Sequence, residues 1–256
     1  MADRFLVPGG ADNNWSTAGN WSFASGGPGG SSAPGAADSA YIDGNSGTSP
    51  IIVLDSAVTL RNFYVQSTAA VATLIDLAGF DLTSGVIELS AGTLSLNGGN
   101  VTTKNLTTSS TGAKITGNGG ETIELTQKVA AAATTHYLAD DGDDIGFGTQ
   151  GNPWRTIGKA ESVLATDVRC LFKRGDVFPV ADGFTMDPDG GYFGAWSTGD
   201  LPIFELPAGA ELILDTPATT WTWYESLIRF AEAVGGVKRP NDMAGGMDEL
   251  TGGIHG

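Results

Sequence analysis

The sequence has few cysteines and histidines, and this shortage excludes several classes of catalytic and metal site. Cys170 is the single cysteine, so the chain can form neither an intramolecular disulfide nor a cysteine-based metal site. His136 and His255 are the two histidines, too few for a His-rich metal centre and a poor basis for a Ser-His-Asp triad. Cys170 lies in the largely apolar run 168–172, where we expect a small buried hydrophobic side chain.

Charged residues are also scarce, at 16% of the chain, and those present are mainly acidic. With 13 basic against 29 acidic side chains, the formal charge is −16. Such a surface repels nucleic acids and anionic membranes, so we expect no nucleic-acid partner. It favours solubility, and it suits Ca²⁺ or a basic protein partner.

Long apolar runs are missing as well. No stretch approaches 18 consecutive apolar residues, so we expect no transmembrane helix and no membrane insertion. Residues 1–7 lack the basic start and the apolar run of a signal peptide. A protein without such a signal can still leave the cell as part of a virus particle.

Glycine, in contrast, is abundant, with 38 residues, and it punctuates short β-prone runs. Gly79, Gly85, Gly92 and Gly98 fall six, seven and six residues apart, with apolar and polar residues alternating between them. This pattern predicts short strands with one buried face and a bend after each strand. The predicted strands are 40–42, 51–54, 58–65, 72–77, 86–89, 93–96, 101–103 and 122–125. We predict a mainly β protein built of parallel β-solenoid coils; the alternative is a sandwich of antiparallel hairpins.

The composition divides the chain into four predicted segments. Residues 1–50 are a Trp- and Gly-rich cap or anchor in which Trp15 and Trp21 could plug the end of a β core. Residues 51–130 are the β-solenoid, and a small-residue linker at 129–135 marks its boundary. Residues 131–222 form a second β unit, and residues 223–256 comprise an amphipathic helix and a loose tail.

Within the second unit, we predict strands at 136–139, 169–172 and 177–180 and a turn at 173–176. Residues 157–165 place apolar side chains on one helical face and predict a short helix. Tyr224, Leu227, Ile228, Ala231 and Val234 also recur at helical spacing, so we predict a short C-terminal helix over 223–234 that ends at a glycine pair.

The N-terminal region resembles phage-encoded structural proteins in which a Trp-rich start and a Gly-rich loop precede a Thr/Leu/Gly solenoid. The residues that carry the resemblance are Asn20-Trp21-Ser22, the Gly/Pro/Ser loop over 26–35, and the run 38–43. The resemblance covers roughly the first 130 residues.

The second unit resembles the start of the pectate-lyase-like right-handed β-helix superfamily. Four segments match in order, at 137–144, 151–157, 172–178 and 192–203. That superfamily includes polysaccharide lyases, hydrolases and phage tailspikes, whose catalytic groups lie on later coils than those matched here. We therefore assign no catalytic, cofactor-binding or metal-ligating residue and expect a protein that is not an enzyme.

Two acidic groups could bind Ca²⁺ or stabilise turns. They are residues 140–144 and Asp187-Pro188-Asp189, both in Gly- and Pro-containing sequence where aspartate caps backbone N–H groups. Residues 140–144 lack the spacing and the closing Glu of an EF-hand. The run 142–148 lacks the Lys-Ser/Thr pair of a phosphate-binding loop, so we exclude that interpretation.

Two further motifs each permit a functional and a structural interpretation. Arg174-Gly175-Asp176 matches a receptor-binding tripeptide, but in the β-helix resemblance it is a turn between coils. Trp196, Trp221, Trp223 and Tyr224 could stack on sugar rings, close the end of a solenoid or pack a subunit interface.

Together, these observations predict a bacteriophage virion structural protein: a tail fibre, a spike or a head decoration subunit acting through assembly and attachment. Its expected partners are other virion proteins, copies of itself in a homotrimer, and a host surface glycan; the C-terminal tail is expected to dock on another virion protein. The alternatives are a polysaccharide lyase or hydrolase and a non-catalytic carbohydrate-binding module.

Overall fold

The computed structural model describes residues 2–8, 12–66, 68–70, 72–108, 113–128, 132, 134–181, 184–186, 191–214 and 221–232. The strands, in chain order, are β1 (Asp3–Leu6), β2 (Trp21–Ser22), β3 (Ser39–Ile42), β4 (Ile51–Val53), β5 (Val58–Leu60), β6 (Asn62–Val65), β7 (Leu74–Asp76), β8 (Leu82–Ser84), β9 (Ile87–Leu89), β10 (Thr93–Ser95), β11 (Val101–Thr103), β12 (Leu106–Thr108), β13 (Ala113–Thr116), β14 (Thr122–Leu125), β15 (Thr134–Leu138), β16 (Val168–Lys173), β17 (Val177–Pro179), β18 (Phe184–Met186), β19 (Gly191–Trp196), β20 (Ile203–Leu206), β21 (Glu211–Leu214), β22 (Trp221–Trp223) and β23 (Ser226–Phe230). Over these ranges there is one α-helix, α1 (Ile157–Glu161), and one 3₁₀ turn, Ala18–Asn20.

Strands β3 to β14 form a β-solenoid, which we call the first stack. Each coil contributes one strand to each of three sheets, of ten, six and seven strands, and successive coils pair in parallel. In the six-stranded sheet, Ile52, Ile75, Leu94 and Ile115 follow one another in register and are all buried. Because side chains alternate across a strand, each coil adds one buried row to a continuous core. The predicted parallel solenoid is confirmed.

Strands β16 to β23 form the second stack, which winds through the same three sheets in the opposite order. The first stack passes from the ten-stranded to the six- and then the seven-stranded sheet, whereas the second passes from the ten- to the seven- and then the six-stranded sheet. Together the two stacks make a solenoid of about 7 turns.

The two stacks meet at their last coils, in what we call the junction. There, β12 pairs with β22, β13 with β21 and β14 with β23, all antiparallel. The second stack therefore advances toward the first along a shared axis. Relative to the first stack, the second stack advances along the axis in the opposite direction and visits the three sheets in the opposite order. Reversing both leaves the sense of a helix unchanged, so the two stacks have the same hand.

This arrangement requires residues 126–133 to connect the junction with β15 at the far end. Four strand spacings separate β12 from β15 in the ten-stranded sheet, or about 19 Å. Eight extended residues span about 26–29 Å, so the connection is long enough. The boundary predicted at 129–135 falls in this segment, partly outside the described residues.

The N-terminal end of the first stack is closed by two tryptophans. Trp21 is fully buried and donates its indole N–H to the Trp15 carbonyl, and the Trp15 ring packs against Phe63 of the first stack. Strand β1 extends the ten-stranded sheet beyond β3, and β2 covers β1 in the antiparallel sense. The two tryptophans thus plug this end of the core as expected.

The predicted C-terminal helix over 223–234 is wrong for the residues that are described. Residues 221–230 form β22 and β23, and β23 alternates buried Ser226, Ile228 and Phe230 with half-buried Leu227 and Arg229. The segment also carries period-two alternation, because Ser226, Ile228 and Phe230 fall on one face of an extended chain. Pairing on both sides, with β20 and β14, then favours the strand.

The predictions of the short helix and of the strands in the first stack agree better with the structure. The predicted helix at 157–165 is real but ends at Glu161, and Thr156 caps it by accepting a hydrogen bond from the Lys159 N–H. The run 58–65 is two strands, β5 and β6, that turn a corner at Arg61. Strands β12 and β13 were missed because two of their buried positions, Thr108 and Ala113, are only weakly hydrophobic, so the alternation is faint in the sequence.

Successive coils approach so closely at one corner that only glycine fits. A Cβ on Gly85 would fall on the Arg61 carbonyl oxygen, which accepts a 2.8 Å hydrogen bond from the Gly85 N–H. We expect Gly85→Ala to lower the free energy of unfolding by about 1–3 kcal/mol through this overlap, measured by urea denaturation.

Gly158→Ala is the matched control. A Cβ at Gly158 meets nothing within 4 Å, and the residue lies in α1. Alanine is favoured over glycine in a helix by about 0.5–1 kcal/mol, so this variant should be unchanged or more stable. Equal destabilisation by the two substitutions would contradict the argument from close approach.

Candidate functional site

A loop at residues 140–156, which we call the end loop, covers the outer edge of β15 at the far end of the second stack. The Tyr137 N–H donates to the Gly148 carbonyl, the Trp154 N–H donates to the Tyr137 carbonyl, and the Ala139 N–H donates to the Trp154 carbonyl. The end loop therefore satisfies backbone groups that an open edge would leave unpaired.

Several side chains hold the end loop in one shape. Asp144 accepts hydrogen bonds from the N–H groups of Arg155 and Thr156 and from the Thr156 hydroxyl, at 2.8, 3.0 and 2.6 Å. Burial would raise the pKa of Asp144, but these hydrogen bonds outweigh it and hold the pKa below its usual value. The Trp154 indole N–H donates to the Gly146 carbonyl at 2.7 Å.

The tip of this rigid loop displays two large apolar side chains to solvent. Ile145 is 91% exposed and Phe147 is 81% exposed. Both values exceed those of the other exposed large apolar residues of the described chain, which are Phe23, Ile51 and Phe80 at 68%, 42% and 39%. Nothing in the local sequence predicts this feature, because apolar residues in a loop follow no pattern that shows which way their side chains point.

The acidic residues of the loop divide into two groups. Asp140 and Asp141 gather with Asp176, with carboxylate oxygens within 4.8 Å of one another, whereas Asp144 faces Thr156 instead. The Lys173 ammonium lies 3.7 Å from Asp141 and 3.9 Å from Asp176. Burial, with the neighbouring carboxylates, raises the pKa of Asp176. A lysine already balances part of this charge, so the structural interpretation is favoured over a Ca²⁺ site.

A cleft of about 350 Å³ lies between the end loop and the edge strand β17. Val177 and Pro179 of β17 line it on one side and the charged residues Asp140 and Arg155 on the other, above the buried Ile157 and Phe178. The cleft combines a small apolar floor with charges of both signs, which suits a side chain or a small ligand better than a polymer.

The Arg174-Gly175-Asp176 tripeptide is the predicted turn, between β16 and β17. The Arg174 guanidinium pairs with Glu225 at 2.7 Å, and both side chains are largely buried. The Asp176 carboxylate accepts a hydrogen bond from the Asp140 N–H. Since both charged groups are engaged inside the chain, the tripeptide is not displayed as a ligand.

The four C-terminal aromatics do not converge on one site. Trp223 is fully buried in the core. Trp196 is half-buried on the outer face, where its indole N–H donates to the Leu138 carbonyl and its ring meets Tyr137 edge-on. Tyr224 is half-buried beside Tyr192, and the side chain of Trp221 lies outside the described residues.

A different aromatic group stands on the outer face of the ten-stranded sheet. Phe5, Tyr41 and Tyr64 are in register on β1, β3 and β6, with ring centroids 4.9 and 4.7 Å apart and ring planes within 18° of parallel. We call these three residues the aromatic row. The sheet continues the same register through Glu88 and Thr107.

The remaining candidates are structural or undescribed. Cys170 is fully buried, as expected, and burial raises the pKa of its thiol to about 12. His136 stacks on Trp154 with centroids 4.4 Å apart. His255, Asp187 and Asp189 lie outside the described residues.

No known protein family, curated protein or solved structure matches this chain. Within the described ranges, no helix is long and apolar enough to cross a membrane.

Proposed function

We propose that this chain is a structural and attachment component of a bacteriophage virion, with no catalytic role. The support from the sequence is its resemblance to phage structural proteins over 1–130 and to the start of the tailspike-type β-helix over 131–222. The support from the fold is a stiff, closed element of defined length. Ten stacked strands span roughly 43 Å, and both ends of the ten-stranded sheet are covered.

The observation that carries the attachment role is the aromatic row. Because the three rings stack on one another, the row presents ring edges together with two tyrosine hydroxyls, a combination of apolar and polar groups suited to half-polar partners such as sugars. Phe5, Tyr41 and Tyr64 are half-buried, so each is held in place yet reachable. The expected ligand is a neutral or basic glycan of the host surface, because a chain of charge −16 repels acidic polymers.

Electrophoresis through gels that contain extracted bacterial surface polysaccharides tests glycan attachment. We expect at least one neutral polysaccharide to retard the wild-type chain and the Tyr41→Ala, Tyr64→Ala double variant to lose most of that retardation. Thr107→Ala, in the same row of the sheet, is the matched control and should leave the retardation unchanged. No retardation by any member of the panel would reject glycan attachment through this face.

Two further measurements separate the competing functions. Reducing ends or unsaturated sugars appearing in the same mixtures would establish the lyase or hydrolase alternative instead. Antibodies raised against the purified chain should label intact virus particles in negative-stain micrographs. If the protein instead stays in the cytosolic fraction after particles are released, the virion assignment is wrong.

A further inference from the structure

A carboxylate continues the aromatic row at its Tyr64 end. Glu88 lies on β9 in register with Tyr64 of β6. Its neighbours Ile87 and Leu89 are buried, so the Glu88 side chain lies on the outer face of the sheet. Adjacent strands are about 4.7–4.9 Å apart, close to the 4.7 Å that separates the ring centroids of Tyr41 and Tyr64. The carboxylate is therefore the next group in the row.

Glu88 forms no ion pair with any described residue of the chain. Its carboxylate accepts a 3.3 Å hydrogen bond from the Ser90 hydroxyl, a neutral group that leaves the negative charge in place. Because the Glu88 side chain is half-buried, water screens this charge less than it screens a fully exposed one. The charge is thus available to a cationic group of a ligand.

Two other carboxylates near the aromatic row are engaged inside the chain. Asp3 lies two residues before the first ring, and the Arg61 guanidinium pairs with it at 3.2 Å. Asp43, two residues after Tyr41, is buried and accepts hydrogen bonds from a serine hydroxyl and a backbone N–H. The contrast with these two places the unpaired negative charge at the Glu88 end of the row.

The last ring of the row also favours a cation at this end. The Tyr41 and Tyr64 rings are stacked, with planes 16° from parallel, so the opposite face of Tyr64 is turned toward β9 and Glu88. The face of an aromatic ring attracts a cation that lies within about 6 Å of its centroid. A positive group bound here meets both a ring face and a carboxylate.

We propose that Tyr64 and Glu88 form a subsite for the protonated amine of an amino sugar. The subsite rests on the proposed function, since it extends the face through which the aromatic row binds a glycan. Glu88 pairs with the ammonium group, and the tyrosine ring contacts the apolar part of the same sugar. An acetylated amine carries no charge and forms no ion pair, so the subsite selects a free amino sugar over its acetylated form.

A pair of ligands that differ only in acetylation tests the subsite. They are a glucosamine hexamer and the same hexamer with every amine acetylated, titrated into the purified full chain at mildly acidic pH and low salt. The wild-type chain should bind the free-amine hexamer about two- to fivefold more tightly, the effect of one partly exposed ion pair. The preference should shrink as salt screens the pair and as rising pH removes the proton from the amine.

Glu88→Gln should abolish the preference and leave the affinity for the acetylated hexamer unchanged. Glu124→Gln is the matched control, because Glu124 is an outward-facing glutamate in the middle of β14, on the seven-stranded sheet. It removes the same charge from the chain and should keep the preference. Far-UV circular dichroism and melting temperature verify that both variants are folded.

The outcomes separate the subsite from the proposed function. Suppose a glycan binds through Tyr41 and Tyr64, but the wild-type chain shows no preference for the free-amine hexamer or Glu88→Gln retains that preference. The subsite is then wrong and glycan attachment stands. Equal loss of the preference in Glu124→Gln would assign it to the overall charge and also overturn the subsite. If an oligolysine peptide binds with the same dependence on Glu88 and neither hexamer does, the partner is a basic protein and the amino-sugar subsite is rejected. Absence of binding by both hexamers and by every polysaccharide of the panel would reject the proposed function and the subsite together.

Discussion

Phe204→Ala is expected to lower the free energy of unfolding by about 3–5 kcal/mol, as for other buried phenylalanines. Phe204 is fully buried at the centre of an aromatic cluster. Its ring meets Phe172 and Trp223 edge-on, each with centroids 4.6 Å apart, and Phe178 and Phe193 lie just beyond. Truncation leaves a cavity among rigid rings that cannot collapse around it.

Urea denaturation followed by tryptophan fluorescence measures this loss. Phe23→Ala is the control, because that ring is 68% exposed and lies under the Arg4 guanidinium, 4.3 Å from the ring centroid. The control should cost less than about 1 kcal/mol. A similar loss for both variants would mean that the aromatic cluster is not the stabilising core of the second stack.

Arg174→Ala is expected to cost about 3–5 kcal/mol, because it leaves a buried charge without its partner. The guanidinium donates to Glu225 at 2.7 Å and to the Gly199 carbonyl at 3.2 Å. The Glu225 side chain is only 7% exposed, so water cannot replace the lost donor. Adding Glu225→Gln to the same variant should recover part of the loss, since an uncharged amide is less costly to bury.

Lys114→Ala provides the comparison at an exposed pair. Lys114 and Glu211 lie 3.0 Å apart across the junction, and each remains about two-fifths exposed. Exposed ion pairs contribute about 0–1 kcal/mol, and thermal or urea unfolding should show that small loss. If Arg174→Ala cost no more than Lys114→Ala, the turn at 173–176 would not depend on the buried pair.

The parts of the fold that the sequence predicts are those in which a residue's conformation is set by its neighbours along the chain. The strands at 87–89, 93–95 and 101–103 were predicted within one or two residues because alternation and glycine spacing act over a few positions. The Arg-Gly-Asp turn was also predicted, because the β-helix resemblance places a turn there, and Gly175 adopts the positive φ that such a turn requires. The predicted helix over 223–234 was wrong over its described part because residues 226–230 also alternate with period two and pair on both sides as β23.

The functional features depend on distance in space, so local sequence patterns do not predict them. Phe5, Tyr41 and Tyr64 are 36 and 23 residues apart, and they stack only because the coils bring β1, β3 and β6 into register. Asp176 joins Asp140 and Asp141 for the same reason. No local sequence pattern predicts such groups, because their members are far apart in the chain and meet only when the coils stack.

The sequence by itself determined the parallel solenoid, the tryptophan plug and the acidic surface, because hydrophobic alternation, turn residues and charge act locally or by simple addition. Only the tertiary structure decided that the second stack returns toward the first, that its last strands pair antiparallel across the junction, and that Ile145 and Phe147 point into solvent. Those outcomes depend on which sheet edges remain unpaired once the coils have formed, and that is a property of the assembled chain.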